Sequence, residues 1–537
     1  MSPDTLLNSY EETPYPSLCY TQTHPNRLAT LAALLGQPAA PVDQCRVLEL
    51  GCASGGNLVP MAYALPGSTF VGIDFSPVQI AAAQQMTSDL ELTNLTFHAA
   101  DVLQIGPDFG QFDYIIAHGL YSWVPPQVRD KVLAICRANL APNGIAYVSY
   151  NTYPGWHMMG MLREMMLYHI RDTAVPADRS TQARELLEFL RENISGNDPY
   201  STFSDAYRQL LQTYSDFVVR ERQQEQRGDQ LLLHDELETF NQPVYFYEFI
   251  DHAAQHGLQY LVEAELSRVM PSNFPPETQQ KLAAMAGDTI ALEQYMDFLR
   301  NRTFRQTLLV HGERPLSRQI QGDLRPFHIA TYARPEGDVT LHDGQTARFR
   351  APDGSILSTD HPVVKAAMLH LADVAPTAVP FLELLAAARQ RVYAMPANDT
   401  LPGDAQALTL NLLQATSYSG RLVELHRHPP QFALHGGERP CASAVARWQV
   451  AHGTDKVSNL RHERVNLDPL ARHLLPALDG SRNHDELLDM LEELAKQGML
   501  KTEQDGRAVT NPATHRQLLR QELTATLHWL GRAALLE

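Results

Sequence analysis

The sequence predicts an α/β protein: a mostly parallel sheet wound with helices on both faces, carrying helical insertions and followed by smaller α+β modules. Three observations predict this. Over the first 150 residues short apolar runs alternate with helical stretches, the pattern of a parallel sheet with crossover helices. The first apolar run breaks into a glycine turn, and the second ends on a carboxylate, Asp74. Two more strand-like runs follow after a long helical interval.

Taken in order, Arg46 to Leu50 is an apolar run that stops at Gly51, a strand and then a turn. Leu58 to Leu65 is helical and closed by Pro66-Gly67, and Thr69 to Ile73 is a second strand. Pro77 to Leu90 is an alanine-rich helix, and Leu95 to Ala99 and Phe112 to Ala117 are strands. Val128 to Leu140 is an amphipathic helix stopped by Pro142-Asn143-Gly144, and Ile145 to Tyr150 is the next strand. Met158 to Asp172, Ser180 to Asn193 and Tyr200 to Gln226 have helical spacing and are expected to pack on the sheet. Tyr245 to His256 is a helix closed by Gly257. Leu258 to Leu266 and Arg305 to His311, with helical Pro276 to Arg300 between them, are expected to complete the sheet as an antiparallel pair at its edge. Beyond 313, short strands over Tyr332 to Ile356 with Asp343-Gly344 and Asp353-Gly354 turns precede helices, and the last hundred residues repeat a strand-plus-helix logic that suits a winged-helix module. The expected domains are 1–156, 157–312, 313–430 and 431–537.

Composition narrows the function. Of 537 residues 44% are hydrophobic and 19% charged, ordinary for a globular protein with several cores. No run of eighteen apolar residues appears and the N-terminus has no basic-then-apolar leader, so a cytoplasmic protein without membrane insertion is expected. Five scattered cysteines suit a reducing compartment. No His-Glu-x-x-His or His-x-x-x-His cluster with flanking carboxylates stands out among 22 histidines, so no metal is expected. Lys and Arg number 43 against 61 Asp and Glu, a net charge of −18 that opposes contact with phosphate backbones. Residues 1–156 hold 5 basic and 12 acidic side chains, which would draw a cationic substrate. Residues 441–537, with 12 basic and 13 acidic side chains, are too neutral for a DNA-binding module.

At Glu49-Leu50-Gly51-Cys52-Ala53-Ser54-Gly55-Gly56 a strand ends in a turn whose backbone can approach a ligand closely and lead into a helix N-terminus. Asp74, at the next strand end, can accept from both hydroxyls of a ribose. Loop and acid together mean a nucleoside-containing cofactor. NAD is one reading, because Gly51, Ala53 and Gly56 fit G-x-A-x-x-G. The ends of the fourth and fifth strands bring His118, Tyr121, Trp123, Tyr153 and Trp156 to the ligand crevice as an aromatic wall. Ahead of the sheet, Tyr10 to Pro16 and Tyr20 to Pro25 form an aromatic, proline-punctuated arm that reads as a lid or a strap.

The stretch from 95 to 117, with Asp101 after the third strand and Phe112-Asp113-Tyr114-Ile115-Ile116 opening the fourth, resembles the motif series of class I methyltransferases, which separates the chain from the dehydrogenases. That resemblance implies a Rossmann-like, seven-stranded sheet and S-adenosyl-L-methionine as cofactor. It places the methionine end at Glu49, Gly51, Cys52, Ala53 and Gly55, the ribose at Asp74, adenine against Phe75, and the adenine amino group on Asp101 and the Val102 backbone, with His118 beside the cofactor. Ala53 replaces the glycine usual at the loop's centre. The Asp/Asn-Pro-Pro-aromatic tetrad of nucleobase amine methylators is missing after the fourth strand.

Tyr15-Pro16-Ser17, Thr23-His24-Pro25, Leu48-Glu49-Leu50-Gly51-Cys52, the run Ile116 to Pro125 and the run Tyr150 to Trp156 together resemble a bacterial group of methyltransferases that carry a methyltransferase regulatory domain. The group includes rickettsial protein-lysine methyltransferases acting on an outer-membrane protein. His234 to Leu309 resembles the regulatory domain and the tail the group's C-terminal module. The resemblance implies a lysine amine of a protein as acceptor, with an outer-membrane or surface protein as the kind of substrate it points to. Transfer to a small molecule, and a cofactor-sensing scaffold that binds a partner protein, stay open as alternatives.

Overall fold

The computed structural model describes residues 17–173, 175–194, 204–225, 237–238, 240–393, 402–500, 503–504, 507–508 and 512–537. The first part of the expected arm, Tyr10 to Pro16, and the ends 200–203 and 226 of the third inserted helix lie outside them. Seven strands form the main sheet: β1 (Arg46–Leu50), β2 (Thr69–Asp74), β3 (Leu95–Ala99), β4 (Phe112–Ala117), β5 (Leu140–Asn151), β6 (Leu258–Glu263) and β7 (Phe304–His311). Their order is β3-β2-β1-β4-β5-β7-β6. The first five run parallel, and β7 pairs antiparallel with both β5 and β6. The late antiparallel pair thus stands at the sheet edge, as the strand pattern predicts. The order reverses between β1 and β4, which opens a crevice at their C-terminal ends.

The apolar strands have their reason in burial on both faces. On one face, Leu48, Leu50, Ile115 and Val148 pack with α4 (Pro126–Asn139) and α8 (Phe246–Gln255), including Val132, Ile135 and Phe249. On the other, Val47, Phe70, Tyr114 and Tyr147 meet α1 (Pro25–Leu34), α2 (Leu58–Ala64) and α3 (Pro77–Asp89). This second core runs on into residues 324–425, through Phe327, Phe349, Val364 and Leu412, so the segment after β7 shares its core with the sheet instead of closing one of its own. Helices start where capping chemistry allows: Ser76 accepts from the Gln79 amide ahead of α3, with Pro77 at its first position.

Two expectations change. The inserted helices α5 (Gly155–His169), α6 (Pro176–Asn193) and α7 (Ser204–Glu225) bury Leu162, Met166, Leu187 and Leu211 against one another, forming a separate small core instead of lying on the sheet. The stretch 276–300 is two helices, α9 (Pro276–Met285) and α10 (Thr289–Arg300), broken where Asp288 caps α10 by accepting from Ala291. α10 is fastened to the sheet by ions. Fully buried Arg305 on β7 bonds Asp297 at 2.7 and 2.9 Å and Glu293 at 2.9 Å, with Glu263 at 3.3 Å, while Arg302 meets Glu263 at 2.8 Å. Near the C-terminus, the helices Ala444–Ala451, Pro469–Leu474, His484–Lys496 and Pro512–Arg532 surround a fourth, leucine-rich core with two short antiparallel strand pairs.

Candidate active site

The β1 exit turn is left-handed at alternate residues, with φ of +74° at Gly51, +47° at Ala53 and +78° at Gly55. The Gly51 and Cys52 amides donate back to the Ile73 carbonyl at 2.8 and 3.1 Å, so the turn is hung on the end of β2. Ala53 is therefore a matter of handedness, not of room: a residue with a Cβ held there stores about 1 kcal/mol of strain. Gly56 serves close approach. A Cβ on it would stand 2.4 Å from the Ser17 carbonyl oxygen, and its amide donates to Ser17 Oγ at 2.6 Å.

Glu49 closes β1 with its side chain buried. Oε1 accepts from Asn57 Nδ2 at 2.7 Å, and Oε2 has no partner. Burial, with Asp74 adding repulsion and the Asn57 bond opposing, pushes the carboxyl up to about 8. The Asp74 carboxylate accepts from the Ala53 and Ser76 amides, each at 2.9 Å, and burial raises it too. Across the β2–β3 pair, Asp101 caps a short turn by accepting from the Leu103 amide at 2.9 Å, and Val102 is buried. Phe75 and Leu103 beside these acids are each 45% exposed. An orphaned buried carboxylate oxygen, two half-buried acids and exposed apolar surface between them fit the amino, ribose and adenine parts of S-adenosylmethionine. The Cys52 thiol is raised by burial and by Asp74 and Glu49, which keeps it unreactive.

The wall residues separate. His118, just past β4, puts its ring 3.9 Å from that of Tyr20 and shares a 2.9 Å hydrogen bond through Nδ1 with the Tyr147 hydroxyl; Phe304 meets it edge-on. Burial lowers it to about 4, so it is a neutral ring at physiological pH. Trp123 and Trp156 meet edge to face at 6.3 Å. Tyr153 stacks on His157 at 4.0 Å and touches Tyr245 at 5.2 Å. Tyr121 departs from the expected wall. Its turn directs the ring into the core against Phe249, and its hydroxyl bonds His252 Nδ1 at 2.8 Å.

Three contributors were not legible in sequence. Asn57 Oδ1 accepts from the Tyr20 amide (3.0 Å) and pairs with Nε2 of His462 (2.9 Å), which comes from the C-terminal module 405 positions later. Residues 242–244 thread between strand ends, Gln242 donating to Ser122 O and Val244 to Asn151 O, which delivers Tyr245 beside Tyr153. Phe304 arrives through the register Asn151↔Phe304. The arm from Ser17 to Thr23 is held by Asn57, by Gly56 and by the Thr21 hydroxyl donating to His462 O at 2.8 Å. His252 and His256, moreover, do stand at His-x-x-x-His spacing; the nearby carboxylate, Asp130, lies on another helix.

Comparison with known proteins agrees with this fold and domain order. Residues 48–146 match the family described as "Methyltransferase domain", residues 228–311 the "Predicted methyltransferase regulatory domain", and residues 438–535 the "PKMT, C-terminal winged helix domain". An uncharacterized protein of Rickettsia prowazekii is 33% identical over 98% of this chain and 94% of its own length. A second one is 35% identical over 47% of this chain and 96% of its own length. The structure of PKMT2 from Rickettsia typhi superposes with a TM-score of 0.84 at 28% identity, covering 97% of this chain and all of that one; its complex with AdoHcy gives 0.83 at 29%. The chain belongs to the S-adenosylmethionine-dependent methyltransferases built with a methyltransferase regulatory domain and a C-terminal winged-helix domain of the PKMT type.

Proposed function

We propose that the methyl acceptor is a lysine side chain of a protein. The observation that carries this is the shape of the aromatic surface. From Tyr153 the rings continue through Tyr245 to Tyr247 and Phe298, the last two 44% and 46% exposed, so the surface leaves the crevice as an open strip instead of closing around a small molecule. The likeness to PKMT2 supports the same reading.

Bound S-adenosylmethionine supplies a methyl group on an electrophilic sulfonium. The protein's own share is alignment, which displacement needs more than it needs a strong base. Glu49, Asp74, Asp101 and the turn from Gly51 to Gly55 would hold the cofactor, with Phe75 and Val102 at its base and His118 beside it. Trp123, Trp156 and Tyr153 would line the lysine's path. A lysine of ordinary pKa near 10.4 must arrive neutral, and burial among rings lowers it, releasing the proton to water. Ring faces then hold the methylated cation by about 1 kcal/mol per contact. His118, held near 4, is too weak a base to take that proton.

In the same reading residues 1–156 hold the cofactor, 157–312 shape the acceptor strip, and 313–430 and 431–537 back the cofactor turn, in a protein working in the reducing cytoplasm. The five cysteines are all free, four of them buried. Among the described residues no helix is long and apolar enough to cross a membrane. The test is transfer of a radiolabelled methyl group to a denatured lysate, to purified surface proteins and to a small-molecule extract, with the label mapped by residue. Label on protein lysines, cut at least tenfold by Tyr245→Ala with cofactor affinity kept, is expected; label confined to small molecules would refute it.

A further inference from the structure

On the flank of the regulatory segment three ligand-type side chains converge. His252 on α8 and His256 at its end are four residues apart and so share a helix face. Asp130, from α4, points at both. Its Oδ1 lies 2.9 Å from His256 Nε2 and 3.5 Å from His252 Nε2, and the three ligand atoms all fall within 4.8 Å of one another. Ligands held about 2.0–2.2 Å from a tetrahedral zinc ion stand roughly 3.3–3.5 Å apart, so these separations need only small side-chain adjustment to accept one.

The surroundings also favour a metal. His252 Nδ1 is 2.8 Å from the Tyr121 hydroxyl, the outer partner that fixes a ligating imidazole with Nε2 outward. The guanidinium of Arg129, on the same helix as Asp130, hydrogen-bonds Gln242 and lies over the Tyr121 ring. Without a metal the two imidazoles compete for one carboxylate oxygen, and the 3.5 Å contact is at the limit of a hydrogen bond. The carboxylate side is open, Asp130 being 63% exposed in its side chain, which leaves a fourth position for water.

We propose that Asp130, His252 and His256 form a site for a first-row divalent cation, zinc above all, that clamps α8 of the regulatory segment to α4 of the methyltransferase sheet. Two imidazoles and one carboxylate suit zinc over magnesium or calcium. The proposal stands apart from the acceptor's identity, since the ion lies behind Tyr121, whose ring faces the core and not the crevice.

The test uses the full chain stripped with a chelator and titrated with Co²⁺ alone, then with Zn²⁺. Expected are the visible bands of tetrahedral cobalt at one ion per chain, displaced by zinc, and a rise in melting temperature with zinc. His252→Ala and Asp130→Asn should each weaken binding at least tenfold, whereas His484→Ala, at a surface site far from α8, should leave it unchanged. Asp130 is exposed, so Asp130→Asn keeps the fold and its melting curve without metal should match the parent's. Absence of the bands in the parent protein, or binding by Asp130→Asn and His252→Ala as tight as the parent's, overturns the proposal.

Discussion

Replacing Glu49 with glutamine keeps the side chain's size and an acceptor for Asn57 but removes a titrating group from the cofactor turn. Burial holds this carboxyl at about 8 against an ordinary 4.5, so at pH 7 roughly nine-tenths of the free protein carries it protonated. Ionising it at pH 7 costs about 1.4 kcal/mol, one pKa unit. A ligand ammonium arriving at about 4 Å offers about 4 kcal/mol at an effective dielectric of 20. The ion pair wins, and binding should expel about 0.9 proton per chain at pH 7. Calorimetry with S-adenosylhomocysteine in two buffers of different ionisation enthalpy measures that release directly. Glu49→Gln should release correspondingly less, and the ratio of parent to variant affinity should climb about tenfold per unit up to pH 8 and then level. The ratio cancels the ligand's own titration. Equal proton release by parent and variant, or a flat ratio between pH 6 and 8, would refute the reasoning. Stability moves the other way. The folded value is raised, so the contribution of the protonated carboxyl is whole below about 4.5 and is lost as pH rises through about 8, giving the free parent a downward slope of up to about 1.4 kcal/mol per unit that Glu49→Gln lacks.

Arg305→Met leaves Glu293, Asp297 and Glu263 buried without their cation and should lower unfolding free energy by about 3–5 kcal/mol in urea melts. His462→Ala removes one partner of Asn57 from a distant module and should weaken S-adenosylhomocysteine binding several-fold while leaving the secondary structure, read by circular dichroism, intact. Ala53→Gly relieves a left-handed alanine and should raise stability by up to about 1 kcal/mol in thermal melts with cofactor affinity unchanged.

Local signals carried far in this chain. The strand of Arg46–Leu50, the turn beginning at Gly51 and the acid ending β2 are each encoded by neighbours, so composition and spacing reveal them. What stayed hidden depends on partners remote in sequence. Nothing around Asn57 marks it as the link between Glu49 and His462, and nothing in Tyr121-Ser122-Trp123 tells which ring turns inward; Phe249, from the regulatory segment, decides that. The His252/His256 pair stands at His-x-x-x-His spacing beside Asp251 in the sequence itself, and what the sequence hid is Asp130, the carboxylate that meets both rings from a different helix. The extent of the second core was likewise invisible, since Phe327 and Leu412 read as belonging to a module of their own.

The link from His462 through Asn57 to Glu49 also bears on how the protein is made. His462 sits in left-handed backbone at φ +59°, and its imidazole is buried deeply enough to stay uncharged. During synthesis the sheet strands β1 to β7 leave the ribosome well before residue 462, so Asn57 spends that interval lacking the partner that completes its hydrogen bonds. Asn57, already bonded to Tyr20, Thr23 and Glu49, thus gains its remaining partner only when the C-terminal module docks. Because the segment carrying His462 is itself bonded to Ala533 and Ala534, chains stalled before the whole module has emerged should retain S-adenosylhomocysteine weakly, and chains whose residues through 537 have emerged should retain it fully.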